Sequence, residues 1–202
     1  ALKDITMTLR DDDFITILGS NGAGKSTLFG AIAGTFFVDE GEIILDGKHI
    51  EHLPEYKRAR AVGTLFQDPM KGTAPDLTIE ENLALAYRRG KKRTLKWGVT
   101  NEEREIYREE LKMLGLGLEN RMNSKVGLLS GGQRQAMALL MTTMTPIDFL
   151  ILDEHTAALD PKTAELIMEL TGKIVAEKKL TAMMVTHNLR YAVEYGNRII
   201  MM

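Results

Sequence analysis

The sequence predicts an α/β fold built on a mainly parallel sheet, with a helical lobe inserted into it. Short strand-like runs alternate with helical stretches towards both ends of the 202-residue chain, and such alternation is typical of parallel sheets with helical crossovers. Between about residues 71 and 145 the strand signals vanish and charged helical stretches replace them. We therefore expect a single domain, residues 1–202, with a core lobe (1–70 and 146–202) and a helical lobe (71–145).

The individual elements follow from apolar runs and from helix start signals. Apolar runs predict strands at residues 14–18, 42–45, 61–66, 149–152, 182–186 and 198–202. Helical patterns predict helices at residues 25–33, 79–88, 102–114, 132–144, 161–177 and 189–195. Asp160 can cap the fifth of these helices, and Pro161 suits its first turn because proline lacks the N–H that would go unpaired there. Helical spacing predicts that its buried face consists of Leu166, Ile167, Leu170 and Ile174.

The composition excludes several classes of protein. Lys and Arg total 26 against 28 Asp and Glu, whereas a protein whose main ligand is nucleic acid usually has a basic excess, so we expect no nucleic-acid partner. The chain has no cysteine, which excludes disulfides and thiolate metal sites. No apolar run approaches the roughly 20 residues that span a bilayer, so any membrane role must come through a partner.

A glycine-rich segment between the first predicted strand and the first predicted helix matches the phosphate-binding pattern G-x-x-x-x-G-K-[ST]. Glycines permit a turn whose N–H groups face inward, and the helix start adds partial positive charge, so the segment forms a cradle for the β-phosphate. Lys25 is expected to reach the β- and γ-phosphates, and the Ser26 hydroxyl to bind Mg²⁺. The chain is thus predicted to be a P-loop nucleoside triphosphatase. The residues of this segment are Gly19, Ser20, Asn21, Gly22, Ala23, Gly24, Lys25 and Ser26.

Two carboxylates follow the apolar strand predicted at residues 149–152. Asp153 and Glu154 emerge at its C-terminal end, where parallel sheets bind their ligands. We expect Asp153 to hold Mg²⁺, through water. Glu154 is placed to polarise the attacking water, either as general base or as a hydrogen-bond acceptor that orients it.

A second glycine motif precedes the helix predicted at residues 132–144. Ser130, Gly131, Gly132 and Gln133 could form an ordinary helix cap and loop, which is what most Ser-Gly-Gly segments do. They could also bind phosphate, because a helix start offers free N–H groups and Ser130 adds a hydroxyl. Two phosphate-binding turns in one chain could serve one nucleotide if two copies pack head to tail.

Residues 129–133 resemble the signature motif of ATP-binding cassette (ABC) ATPases, and the rest of the chain agrees with that family in order and spacing. Residues 20–27, which add Thr27, resemble the Walker A loop, and residues 149–154 resemble Walker B with its catalytic glutamate. Gln67 resembles the Q-loop glutamine, residues 158–160 resemble the D-loop, and His187 resembles the switch histidine. The resemblance covers essentially the whole chain.

The resemblance implies a dimer in which two ATPase domains enclose two ATP molecules. Each ATP lies between the Walker A loop of one subunit and the signature motif of the other, so the resemblance implies that Ser130, Gly132 and Gln133 contact the γ-phosphate across the dimer. Asp160 is implied to couple the two sites. The implied catalytic residues are Glu154, His187 and Gln67; the implied cofactors are ATP and Mg²⁺, with Ser26, Gln67 and Asp153 at the metal.

Two features depart from the family pattern. His155 follows Glu154 where the family commonly has proline, and we expect it to have a local backbone role. Family members also carry an upstream strand and an aromatic residue that stacks on adenine. The chain begins too close to the phosphate loop for both, and it stops at Met202, at the end of a predicted strand. We therefore expect it to be truncated at both ends, and no adenine-stacking residue is assigned.

Three segments indicate which branch of the family the chain resembles. Residues 73–83, 88–97 and 153–160 look like a bacterial group that works with a permease and a solute-binding protein in tryptophan, tyrosine or small-solute uptake. We therefore expect an importer subunit that forms a homodimer at the cytoplasmic face of the cell membrane. The alternative is a soluble ABC-type ATPase; the short interval between Gln67 and Leu129 lacks the coiled coils of DNA-repair members.

A basic cluster lies in the predicted helical lobe, and two explanations of it stay open. It is most simply a solvated loop, but it could instead lie near lipid headgroups or a membrane subunit. Trp97 beside it could be buried or could anchor an interface. The cluster consists of Arg88, Arg89, Lys91, Lys92, Arg93 and Lys96.

Overall fold

The computed structural model describes residues 2–91 and 98–202. Its strands are β1 (Phe14–Leu18), β2 (Ile44–Leu45), β3 (Lys48–His49), β4 (Val62–Leu65), β5 (Phe149–Asp153), β6 (Thr181–Val185) and β7 (Arg198–Met201). Its helices are α1 (Lys25–Ala33), α2 (Glu55–Arg58), α3 (Ile79–Tyr87), α4 (Asn101–Lys112), α5 (Gly131–Thr143), α6 (Pro161–Lys178) and α7 (Leu189–Tyr195). Short 3-10 helices span Pro69–Gly72, Leu118–Asn120 and Val126–Leu128.

Five strands form one sheet in the order β4-β5-β6-β1-β7. β1 pairs in parallel with both β6 and β7, and β5 pairs in parallel with β6. β1 is buried along its whole length, as expected for a strand covered on both faces. The predicted α/β fold with a mainly parallel sheet is therefore confirmed.

The core of the sheet consists of aliphatic and sulfur-containing side chains from three neighbouring strands. Ile15 and Ile17 of β1, Ile151 of β5 and Met183 of β6 are all fully buried in one cluster. Each such side chain stabilises the fold by about 1.5–3 kcal/mol relative to exposure. The apolar residues that predict these strands are thus the same residues whose burial stabilises the sheet.

The strand predicted at residues 42–45 does not belong to this sheet. Only Ile44–Leu45 is extended, and it pairs antiparallel with Lys48–His49 in a separate two-stranded sheet. Asp46 and Gly47 connect the two strands with φ of 48° and 70°, the paired positive values that a tight hairpin turn requires. This Asp-Gly turn reverses the chain before a longer strand can form.

One residue of the predicted buried face of α6 is exposed. Ile167, Leu170 and Ile174 are buried, but Leu166 is 37% exposed. Because residues 166 and 167 point about 100° apart on a helix, the buried stripe includes one of them and not the other.

The chain divides into two compact units. The first comprises Ala1–Thr64, Ile147–Glu154 and Gly172–Met202, and the second comprises Leu65–Pro146 and His155–Thr171. Residues 155–171, which the sequence places in the core lobe, thus belong with the helical unit. Thr163 and Leu159 of this segment lie close to Gly132 and Gly131 at the start of α5, in the same unit.

The helices of the second unit begin at reciprocal caps. Thr78 and Glu81, Thr100 and Glu103, and Ser130 and Gln133 each form a capping box at the start of α3, α4 and α5. Each box satisfies two N–H groups that would otherwise lack acceptors. Nowhere in residues 2–91 and 98–202 is a helix both long and apolar enough to cross a membrane.

Candidate functional site

The loop between β1 and α1 depends on its glycines. Gly22 and Gly24 have φ of 87° and 98°, a left-handed conformation that strains other residues. A Cβ on Gly24 would lie 2.6 Å from Leu2 Cδ2, whereas a Cβ on Gly22 would meet nothing within 4 Å. The open space above Gly22 leaves the backbone of the loop accessible to a bulky anion.

Lys25 provides a buried ammonium group at the start of α1. The residue is 6% exposed, and Nζ donates hydrogen bonds to the carbonyl oxygens of Gly19 at 2.8 Å and Ser20 at 2.9 Å. These bonds hold the charge against the loop. The first N–H groups of α1 add partial positive charge at the same place, so the loop fits a phosphate group.

Glu154 follows β5 in an unusual backbone conformation. Its φ is 46°, which costs about 1–3 kcal/mol for a residue other than glycine. Its N–H donates to the carbonyl oxygen of Val185 on β6 at 3.1 Å, which holds this conformation. The turn starts directly after Asp153, which pairs with Val185 at the end of the strand. The strained backbone thus aims the Glu154 side chain.

The Glu154 carboxylate contacts His187. Glu154 Oε1 lies 2.9 Å from His187 Nε2, and the two side chains are 22% and 50% exposed. β5 and β6 are neighbouring parallel strands, so the residues that follow them emerge at the same edge of the sheet. The structure therefore brings together two of the predicted catalytic residues, which remain accessible to solvent.

The turn that carries His187 is fixed by its neighbours. Asn188 N–H donates to Thr186 Oγ1 at 3.0 Å, and Asn188 Oδ1 accepts from the N–H of Arg190 at 3.0 Å and of Tyr191 at 3.4 Å. Asn188 is thus the N-cap of α7. Sequence reasoning missed these positioning residues, although an asparagine before a helical run is itself a cap signal.

Ser130 and Gln133 form the start of α5 in the second unit. Ser130 Oγ accepts from the Gln133 N–H, and Gln133 Oε1 accepts from the Ser130 N–H, each at 3.2 Å. Ser130 therefore forms the ordinary helix cap that the sequence offered as one interpretation of this motif. The Ser130 hydroxyl hydrogen is not used by the cap, so it can still donate to an anion.

Gly132 is needed for packing. A Cβ at this position would lie 2.2 Å from Thr163 Cγ2, whereas one on Gly131 would lie 3.5 Å from Leu159 Cδ2. The start of α5 and the first turn of α6 thus approach too closely for a larger residue. Sequence reasoning missed Thr163, because no local pattern links it to Gly132.

Asp160 acts as the predicted cap of α6. Its Oδ1 accepts from the Thr163 N–H at 3.1 Å. Hydrogen bonds from Thr163 hold the pKa of the Asp160 carboxyl below its ordinary value. Gln67 lies two residues beyond β4 with its side chain exposed, just before the 3-10 helix Pro69–Gly72.

His155 contacts a side chain, and the backbone role expected from the sequence is not what the structure has. The residue is 2% exposed, and Nε2 lies 3.2 Å from Thr171 Oγ1. The Thr171 hydroxyl donates to the Ile167 carbonyl oxygen at 2.7 Å, so His155 Nε2–H must be the donor to Thr171. Burial lowers the pKa of His155 to about 4, which keeps the ring neutral and makes it part of the packing of α6.

The described members of the basic cluster interact within their own unit. Arg88 pairs with Glu103 at 3.0 Å, and Arg89 donates to the Thr142 and Met141 carbonyl oxygens, each at 2.8 Å. The Lys91 ammonium lies 3.5 Å from the centre of the Tyr87 ring. These three cations serve the helical unit. The others, with Trp97, lie outside the described residues: Lys92, Arg93 and Lys96.

Comparisons with known proteins agree with this geometry. A family model described as "ABC transporter" matches residues 2–157. A tyrosine transport ATP-binding protein of Clostridioides difficile is 45% identical over 200 residues, which cover 99% of this chain and 79% of that protein. A methionine import ATP-binding protein of Enterococcus faecalis is 35% identical over 205 residues, covering 100% of this chain and 56% of that protein.

Another relative and a solved structure extend the comparison. A spermidine/putrescine import ATP-binding protein of Haemophilus ducreyi is 36% identical across 100% of this chain and 51% of its own length, so the chain spans about half of some relatives. The solved structure is a dimeric ATP-binding cassette in a post-hydrolysis state, bound to ADP and Pi. It superimposes with a TM-score of 0.82 and 32% identity, over 100% of this chain and 85% of that one.

Proposed function

Since this chain belongs to the ABC transporter family, we propose that it powers an importer of a small solute by hydrolysing ATP against a membrane permease. It is an ATP-binding cassette with ATPase activity. The observation that carries the proposal is the 2.9 Å contact between Glu154 and His187. Both follow strands parallel to β1, which leads into the phosphate loop, so all three features lie at one edge of the sheet.

In this proposal the phosphate loop binds the triphosphate. Lys25 and the first N–H groups of α1 neutralise the β- and γ-phosphates. The loop residues Gly19 to Thr27 surround the anion with backbone donors and, at Ser20, Ser26 and Thr27, hydroxyl groups. Ser26 and Asp153 offer one hydroxyl and one carboxylate, which suits Mg²⁺ because that ion takes its other ligands from phosphates and water.

Glu154 and His187 then act on the attacking water and the γ-phosphate. The Glu154 carboxylate accepts a hydrogen bond from the water and orients it in line with the γ-phosphorus. His187 holds the carboxylate through Nε2, and by its resemblance to the switch histidine the same N–H is assigned to the γ-phosphate once the nucleotide is bound. Gln67 is assigned to Mg²⁺ and the same water by its resemblance to the Q-loop glutamine. Bound Mg²⁺ neutralises the charge that develops on the phosphate oxygens.

We assign the second phosphate-binding turn to the partner's nucleotide in a head-to-tail homodimer. Ser130 and Gly131 are exposed at the start of α5, so a γ-phosphate of another subunit can reach them. Gly132 and Gln133 continue the same turn, and Asp160 is assigned to coupling between the sites. The dimeric arrangement of the related cassette bound to ADP and Pi supports this assignment.

The transport role rests on the relatives. The names of three of them refer to tyrosine transport, methionine import and spermidine/putrescine import. We propose that this chain serves uptake of an amino acid, with tyrosine as the first solute to test, together with a permease and a solute-binding protein at the cytoplasmic face of the membrane.

The test is reconstitution. The chain is purified from detergent-solubilised membranes with its associated proteins, placed in proteoliposomes and supplied with Mg²⁺-ATP. We expect a polytopic membrane protein to accompany it and labelled tyrosine to move only while ATP is hydrolysed. Copurification of soluble partners alone, with no polytopic membrane protein, would contradict the importer role.

A further inference from the structure

Two side chains at the start of α5 contact the segment on either side of Gln67. Gln135 Nε2 donates to the Phe66 carbonyl oxygen at 3.2 Å, and Arg134 Nη1 lies 3.1 Å from Met70 Sδ. All of these residues belong to the second unit. Gln67 therefore lies in a short loop whose two ends are held by neighbouring residues of one helix.

Arg134 also holds the loop that leads into Ser130. Its Nη2 donates to the carbonyl oxygens of Leu129 at 2.9 Å and Gly127 at 3.1 Å, and Nε makes a longer contact of 3.4 Å with the Val126 carbonyl oxygen. A guanidinium is a rigid planar fork, so its donors cannot move independently. One side chain thus links the residues before Ser130 to the residues after Gln67.

The Gln135 side chain is a buried amide at a position where packing alone would favour an apolar residue. The residue is 0% exposed, and among the described residues its Oε1 has no hydrogen-bond donor. An unpaired buried oxygen costs about 1–3 kcal/mol, so an apolar side chain would pack better here. What the amide provides instead is the bond to the Phe66 carbonyl oxygen.

We propose that Arg134 and Gln135 are positioning residues that make the Gln67 loop and the Ser130 turn move together. A displacement of Phe66 or Met70 pulls on α5 through these contacts and shifts Ser130, because the hydrogen bonds form one contiguous network. The catalytic consequence rests on the proposed function. There Gln67 serves the nucleotide of its own subunit and Ser130 that of the partner, so the pair would connect the two ATP sites.

Hydrogen exchange tests the mechanical part without relying on ATPase activity. Arg134→Met keeps the aliphatic stem and loses every donor, and Gln135→Met does the same for the amide. We expect Arg134→Met to speed amide exchange roughly fivefold in residues 66–71 and also in residues 126–130, since a typical hydrogen bond contributes about 1 kcal/mol. The matched control is Arg108→Met, because the one ion pair that Arg108 makes with another described residue is an exposed pair with Glu105. Faster exchange confined to residues 126–130 would overturn the coupling.

Turnover tests the catalytic part. In Arg134→Met and Gln135→Met we expect kcat to fall about tenfold or more through misplacement of reacting groups, while KM for ATP stays within about twofold. Arg134→Lys, which keeps some donors, should recover part of the kcat. Wild-type kcat in both methionine variants would overturn this part. An unaltered chain that splits no ATP would instead contradict the proposed function, and the exchange result would still decide the coupling.

Discussion

Glu154 Oε1 and His187 Nε2 lie 2.9 Å apart, although 32 residues of chain separate the two positions. The contact forms because each residue follows one of two neighbouring parallel strands, and because the positive φ of Glu154 directs its side chain towards the end of β6. The carboxylate is thus held in place by its own backbone conformation and by His187. A water-orienting group that is fixed in advance costs less to organise in the transition state.

Glu154→Gln should separate ATP binding from hydrolysis. The amide keeps the shape of the side chain but cannot take a proton, so we expect turnover to fall by about 10²–10⁴-fold. ATP binding should persist, and the variant should accumulate as an ATP-bound dimer in size-exclusion chromatography. Phosphate release measures turnover, with Glu109→Gln on the surface of α4 as the control. Wild-type turnover in Glu154→Gln would show that the Glu154 carboxylate does not act on the attacking water.

Ser130→Arg should block dimer closure and leave nucleotide binding by the monomer nearly unchanged. The exposed Ser130 turn is assigned to the partner's γ-phosphate, and a long side chain there would occupy the interface. Titration of a fluorescent ATP analogue measures binding, and light scattering measures the dimer.

Loss of the capping box by itself should lower the free energy of unfolding of Ser130→Arg by about 1 kcal/mol. Thr100→Arg removes an equivalent box from α4 and controls for that loss. If Ser130→Arg abolished binding to isolated monomers, the assignment of Ser130 to the partner's nucleotide would be wrong.

Gly132→Ala should destabilise the second unit, and Thr163→Ser should relieve most of the effect. The added Cβ would lie 2.2 Å from Thr163 Cγ2, and overpacking of this kind costs about 1–3 kcal/mol. Serine removes the methyl group that clashes and keeps the hydroxyl. Urea denaturation of the two single variants and the double variant measures the coupling. Gly131→Ala, with ordinary contacts only, is the control; an equal loss of stability in both alanine variants would contradict the packing argument.

The Asp13 carboxylate should make the free energy of unfolding depend on pH in the acid range. Hydrogen bonds from the Arg10 N–H and from the Arg198 guanidinium lower the pKa of Asp13 below its ordinary value of 3.8. A carboxyl whose pKa is lower in the folded than in the unfolded chain stabilises the fold at pH values above its unfolded-state pKa. That stabilisation is lost as the pH falls through the folded-state pKa.

We therefore expect the urea midpoint to drop as pH falls below about 4, and the drop to be smaller in Asp13→Asn. Asp12→Asn provides the control, because its backbone N–H, rather than its carboxylate, makes the bond to Thr181 Oγ1. A pH profile in Asp13→Asn that superimposes on that of the unaltered chain would show that Asp13 contributes nothing to acid sensitivity.

The sequence by itself determined the parallel α/β fold and the glycine-rich turn between β1 and α1. β1, α1 and α7 begin and end at the residues predicted for them, because apolar runs and glycine conformations act over a few neighbouring residues. The same locality explains why Asp160 was recognisable as a helix cap. Glycines that need a positive φ, such as Gly22 and Gly24, carry their reason within the loop itself.

Only the tertiary structure decided which distant side chains meet. The contact of Glu154 with His187 depends on the strand order of the sheet, and the need for glycine at position 132 depends on Thr163 in another helix. Arg134 and Gln135 contact the Gln67 loop across more than 60 positions of sequence. Such contacts arise from packing between helices and strands. The free energy of that packing depends on residues far away in the sequence, which a local sequence pattern does not identify.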